Sequence, residues 1–276
     1  MEEKLHFAEL GYSIPAAEAG AWRNFDKADP QPGYFEFDWL SARHPDLYHS
    51  FALSTICLID ELSKLIDLAG LAIADVGAGT GRSCIELAKR ARHVYGLDAY
   101  ASVVDFGRRA VKAAGIDNVE YHRADRASLP LPSSSVDAVT AFWAAIDVNE
   151  AYRVLKPSGW LIQAGPAPGA LCGELTQTLQ ISFPSLILGH SLREEAFSQE
   201  CPPTDFVIAH PFGLEIPLGE GMQVHDFTGM SKYKSLKEAA AIVGRIYGPL
   251  AAEYMRSHHK STLAWRFRIM YGKVVK

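Results

Sequence analysis

Cysteine is scarce, and its four positions, Cys57, Cys84, Cys172 and Cys201, lie far apart with no C-x-x-C pair among them. Neither a redox pair nor a metal site is expected from that spacing. The thiols read as small buried hydrophobes in a reducing compartment. Basic charge is not in excess either: 27 Lys and Arg against 32 Asp and Glu leave a formal charge of −5. A nucleic-acid backbone finds no electrostatic footprint in that balance. No uninterrupted apolar run reaches the ~18 residues a membrane helix needs. The opening MEEKLHFAEL is charged where a cleavable signal carries its apolar core. These absences leave a cytoplasmic protein as the expectation. What is present is an ordinary globular mixture of 276 residues, 48% hydrophobic and 21% charged. That is enough for one large α/β domain with a modest cap.

Residues 1–45 are rich in proline and aromatics (Trp22, Phe25, Tyr34, Phe35, Phe37, Trp39) and show little periodicity, so they are expected to pack on the core or on a ligand. From residue 46 the chain becomes regular. The stretch 46–70 reads as a helix with Leu53, Ile56, Cys57, Ile59 and Leu62 on one stripe and Gly70 as its stop. Strands follow at LAIADV, HVYGLDA, VEYHRAD, VDAVTAFWA and WLIQAG, separated by helical runs from Arg82, Ser102 and Asn149. Alternation at these lengths specifies a doubly wound, mostly parallel Rossmann-like sheet. Beyond Gly169 the rhythm breaks. DFVIAHPFGLEI is expected to be a strand, and 235–258 a long amphipathic helix carrying Gly-Pro, suited to the core or to a homodimer contact. TLAWRFRIMYGKVV alternates, as an antiparallel C-terminal strand would.

The loop after the first strand, DVGAGTG, places Gly77, Gly79 and Gly81 within five positions behind Asp75. Two readings are open there: a tight turn, or a backbone that a ligand must touch. Ligands of open α/β sheets bind outside the carboxyl ends of the strands, and two further acids stand at such ends. Asp98, 21 positions after Gly77, is placed for ribose hydroxyls, and Asp125 for the exocyclic amine of an adenine. Both also suit helix N-caps. Arg82 occupies the position where a dinucleotide fingerprint wants a small residue, and no G-x-x-x-x-G-K-[ST] loop occurs. Asp75 is an anion aimed at the ligand, wrong for phosphate and right for an ammonium. S-adenosyl-L-methionine carries an ammonium and a sulfonium and no phosphate, so the residues favour that cofactor.

DVGAGTG, GLD, RADRASLPLPSSSVDAV and EAYRVLKPSGWLI, in that order, resemble the successive motifs of class I S-adenosylmethionine-dependent methyltransferases. The branch they resemble is that of the bacterial ubiquinone/menaquinone C-methyltransferases. The resemblance implies that Asp75 and the loop Gly77, Ala78, Gly79 and Gly81 hold the amino-acid end. It places Asp98 and Ala99 at the ribose, Asp125 and Arg126 at the adenine, and Phe142 near the methyl group. The chain then divides into an N-terminal cap segment (1–45), a cofactor-binding core (46–169), and substrate cap elements that complete the sheet (170–276).

The stretch after the fourth strand is shorter than in many of those enzymes and has no histidine, and Ser158 replaces a usual glycine. Methyl transfer asks the protein mainly for positioning, water exclusion and sometimes a base. Asp147, Tyr152, His190, His210 and His225 are candidates for that base, each also suited to a surface or core role, so no catalytic residue is assigned. His258 and His259 suit a helix-end contact. A small-molecule methyl acceptor is the leading expectation. An RNA or protein acceptor is the first alternative, disfavoured by the acidic balance and the absence of an NPPY-like tetrapeptide. A cofactor-binding sensor or scaffold is the second.

Overall fold

Strands that must be buried on both faces have no polar side to show, and Ala72–Val76 (β1) is buried at all five positions. The structure, a computed structural model, describes Ser41 and residues 45–53, 57–144, 146–167, 174–175, 221–247 and 249–276. Two helices precede β1: α1 (Pro45–Leu53) and α2 (Cys57–Leu65). Then come α3 (Arg82–Ala88), β2 (His93–Asp98), α4 (Ala101–Ala113), β3 (Val119–Arg123), β4 (Val136–Phe142), α5 (Val148–Val154) and β5 (Leu155–Pro166). After residue 220 follow β6 (Gln223–Lys232), α6 (Leu236–Tyr247), α7 (Pro249–Ser257) and β7 (Thr262–Lys273).

The seven strands lie in the order β3-β2-β1-β4-β5-β7-β6. β1 pairs in parallel with β2 and β4, and β4 with β5. β7 runs antiparallel to β5, from Trp160 opposite Lys273 to Pro166 opposite Phe267. On its other side Arg268 meets Asp226, while the Tyr233 amide donates to the Ser261 carbonyl. Partner numbers fall as strand numbers rise, so β7 is antiparallel to both neighbours. The expected antiparallel C-terminal strand is therefore present, one position in from the edge.

Two compact units share the chain. One contains the described residues of 56–167, 207–227 and 267–276. Its core joins Ala74, Val76, Leu97, Val139, Val154, Leu155, Leu161 and Met270. The other contains the described residues of 1–55, 168–206 and 228–266. Within it α6 packs on α7 so closely that a Cβ on Gly244 would stand 2.6 Å from Ala252 Cβ. Glu174 accepts hydrogen bonds from the Tyr254 hydroxyl, Lys260 Nζ and the Ala264 amide.

Several boundaries differ from expectation. The second helix before β1 ends at Leu65, five residues before Gly70, which sits in a turn at φ +75°. Leu58 joins Ile59 and Leu62 on its buried side. The long helix over 235–258 is two, one ending at Tyr247 and the next beginning at Pro249, because an interior proline removes a hydrogen bond and collides with the preceding turn. β5 begins at Leu155, through residues expected to be a turn. Ser158 there adopts φ +59°, the left-handed conformation that its usual glycine takes freely and that costs other residues about 1–2 kcal/mol. β6 is a strand the sequence reading lacks, whereas the one expected at 205–216 lies outside the described residues.

Candidate functional site

Gly77, Gly79 and Gly81 all adopt left-handed backbone, with φ of +69°, +57° and +91°. Space matters as much as conformation. A Cβ on Gly77 would stand 2.3 Å from Ala144 Cβ, and one on Gly81 3.3 Å from the Gly107 backbone. Gly107 is bare in turn because the Tyr121 ring would lie 2.6 Å from its Cβ. The Tyr121 hydroxyl, which burial keeps protonated by raising its pKa well above the usual value, donates to the Gly79 carbonyl at 2.6 Å. The loop is thus pressed between the end of β4 and the middle of α4. Gly107 and Tyr121 shape the loop, and the motif reading missed them. A glycine inside an otherwise helical run was their one visible signal.

Four of the loop's amides are already committed. Those of Gly77 and Ala78 donate to the Leu97 carbonyl (2.8 and 3.0 Å), that of Gly79 to Asp98 Oδ2 (2.9 Å), and that of Gly81 to Ala78 (3.2 Å). A phosphate cradle needs such amides pointing at the ligand, so this loop suits a cofactor without one. Asp98 is half-buried at the end of β2. It also accepts the Tyr100 amide at 3.1 Å, and burial lifts its pKa to about 6. The Ala99 amide is a third backbone donor to it, and a carboxylate's four lone-pair sites still leave room for a hydroxyl.

Asp75, expected at the amino-acid end of the cofactor, is engaged by side chains of the protein. It is fully buried, and its oxygens accept from Ser83 Oγ (2.5 Å), Thr140 Oγ1 (2.8 Å) and Cys84 Sγ (3.5 Å). Burial raises its pKa against these donors. The carboxylate pins α3 and β4 to β1 beneath the loop. Thr140→Val is expected to cost about 1–3 kcal/mol in urea unfolding, because it strands a buried acceptor. Asp125 is exposed and accepts the Ala127 amide at 2.9 Å, turning the chain after β3. Arg126 and Ala99 are half-buried, and the Ala99 carbonyl accepts from Arg123. Ala78 and Phe142 are each 4% exposed, the latter closing β4. The structure therefore brings the loop and Asp98 into direct contact and sets Asp125 and Phe142 at neighbouring strand ends.

Residues 73–159 match a family model described as a methyltransferase domain. That segment, about a third of the chain, is similar to methyltransferase domains. A demethylmenaquinone methyltransferase from Clavibacter sepedonicus is 38% identical over 102 residues, which cover 34% of this chain and 41% of that protein. The ubiquinone/menaquinone biosynthesis C-methyltransferase UbiE of Brucella canis is 40% identical over 96 residues, 31% of this chain and 36% of its own. The chain thus matches about two-fifths of the length of these relatives. In fold, a putative methyltransferase from Bacillus halodurans superposes with a TM-score of 0.51 at 16% identity, over 79% of this chain and 99% of that one.

One further pair lies beside the glycine loop. Arg82, only 7% exposed, places its guanidinium 4.8 Å from the centre of the Trp143 ring. Trp143 follows Phe142 directly and meets Phe267 edge-on at 5.6 Å. Of the candidate bases, Asp147 caps α5 by accepting the Glu150 amide, and Tyr152 donates its hydroxyl to the Val275 carbonyl. His225 pairs with Glu61 at 3.0 Å. His258 lies at the end of α7, its Nδ1 3.0 Å from the Tyr254 carbonyl. His190 and His210 lie outside the described residues, as do the aromatics of residues 22–39. Among the described residues no group of three His, Cys, Asp or Glu has metal-binding placement, and no helix is long and apolar enough to cross a membrane.

Proposed function

We propose that this chain transfers a methyl group from S-adenosylmethionine to a small-molecule acceptor. The observation that carries the reading is a left-handed glycine loop whose amides are spent on protein acceptors, tied to a reachable carboxylate at the end of β2. That set suits a ribose and no phosphate. When bound, the cofactor supplies a methyl carbon already activated by its sulfonium. The protein's share is then placement. Asp98 would accept the ribose hydroxyls, Asp125 and Arg126 would sit at the adenine, and Phe142 would close the wall behind the methyl group. Since Asp147 and Tyr152 are engaged in structural contacts, the acceptor is expected to bring its own nucleophilic electrons rather than borrow a base from α5.

The two relatives are named for quinone methylation, which supports a small acceptor over a macromolecule, as does the formal charge of −5. Calorimetric titration with S-adenosylhomocysteine tests the cofactor half, and an absence of heat at millimolar ligand would overturn it. Incubation with methyl-labelled cofactor and a small-molecule extract tests the rest. Label is expected in a low-mass organic product, and label only in RNA or protein would reject the acceptor class.

A further inference from the structure

Antiparallel strands set directly opposed residues on one face of a sheet. β6 and β7 keep a single register from the Phe227–Phe267 ring pair, 5.3 Å between centres, to the Tyr233 amide on the Ser261 carbonyl. That register puts Gly229 opposite Trp265 and Ser231 opposite Leu263. All four of these residues are buried, whereas Thr228, Lys232 and Arg266 on the other face are exposed. Phe51 of α1 covers the buried face, its ring edge-on to that of Trp265 at 6.2 Å.

A strand face closed off from water is ordinarily filled with β-branched and aromatic side chains. Here Gly229 and Ser231, two of the smallest residues, stand in succession on it, and one of them is polar. Ser231 has no exposed surface, and its hydroxyl meets no hydrogen-bond partner among the described residues. Alanine would fill nearly the same volume without stranding a donor. An unmet hydroxyl at such depth calls for a polar atom from outside the chain. Its neighbours indicate what would carry that atom. An indole across the strand pair, a phenyl ring against that indole and a leucine suit a flat apolar body.

We propose that this face of β6 and β7 binds a small ring compound bearing one oxygen, with Ser231 donating its hydroxyl to that oxygen and Trp265 meeting the ring. The site stands apart from the methyl-transfer reading, since none of its residues is placed at the cofactor. The test uses the full chain with isotope-labelled tryptophan and two probes of one shape, acetophenone and α-methylstyrene, which differ by an oxygen for a methylene. The indole N–H signal of Trp265, identified by its loss in Trp265→Phe, reports occupancy. Both probes are expected to shift that signal at millimolar concentration. Ser231→Ala should weaken acetophenone binding about fivefold, the worth of one neutral hydrogen bond, and leave α-methylstyrene unchanged. Gly229→Val, which fills the space between the strands' side chains, should exclude both. In denaturant, Ser231→Ala should unfold at a midpoint no lower than that of the unaltered chain, because no bond within the fold is lost. A lower midpoint would give the hydroxyl a partner in the protein and overturn the proposal. So would acetophenone affinity unchanged in Ser231→Ala, which leaves the hydroxyl to a buried water, or a Trp265 signal that neither probe moves. Titration of the same chain with S-adenosylhomocysteine succeeds or fails independently, so failure of this site and failure of the cofactor reading are told apart.

Discussion

Replacing Asp98 with alanine is expected to weaken S-adenosylhomocysteine binding roughly 100-fold or more, since two charge-assisted bonds of about 1.5–3 kcal/mol each disappear. The structure adds a second route to the same loss: the Gly79 amide, now held by Asp98 Oδ2, would lose its partner and the loop its tie to β2. The domain should still unfold cooperatively, because Asp98 is half-buried and lies outside the apolar core. Its pKa of about 6, raised by burial, sets a pH signature. Hydroxyls donate to the ionised form, so below that value binding must first displace a proton, and affinity should fall about tenfold per pH unit. Above it the profile should be flat. Stability of the ligand-free protein moves the other way. A carboxyl whose folded pKa exceeds its ordinary 3.8 takes up its proton more readily in the folded state, so this group favours folding increasingly as pH drops from about 6 toward 3.8. Asp98→Asn should abolish both trends, and an unchanged affinity profile in that variant would reject the assignment.

Gly77→Ala carries the second large effect, expected as a loss of about 2–5 kcal/mol in denaturant unfolding. Two separate penalties combine there: left-handed backbone at φ +69° and a Cβ placed 2.3 Å from Ala144 Cβ. Gly115→Ala separates them, because Gly115 has φ +68° and nothing within 4 Å of its Cβ. That variant should lose only the conformational part, about 1–2 kcal/mol. Adding Ala144→Gly to Gly77→Ala should recover the remainder. If the double variant is no more stable than the single one, the close approach of loop and β4 is not what demands glycine.

The features visible in the sequence are those whose cause is local. Ala72–Val76 is apolar but for Asp75 because both faces are covered, and the strand–helix alternation that fixes the parallel order follows from such runs. Asp98 was readable because a strand end and a fixed offset from Gly77 locate it. β6 escaped because its first residues are exposed and polar, and a half-solvated strand beginning QVHD carries no clean alternation. The partners of Asp75 were hidden for a different reason. One of the hydroxyls that engage it belongs to Thr140, 65 residues away, and nothing near DVGAGTG announces it. Arg82 reads as mere bulk until Trp143 is brought beneath it from the far side of β4. Long-range pairing decides what a motif's side chains face, and a motif records only the chain on either side of itself.

The insertion of β7 between β5 and β6 has a consequence in time. Residues 160–166 of β5 pair with residues 267–273, so the first partner for Pro166, Phe267, is made 101 residues later (267 minus 166). At roughly 5–20 residues per second, a ribosome needs about 5–20 s to cover that interval. Throughout it the five parallel strands, already holding the glycine loop and Asp98, present an apolar strand with an open hydrogen-bonding edge. Nascent chains of this protein should therefore be most prone to capture by chaperones, or by one another, between the completion of β5 and the arrival of β7.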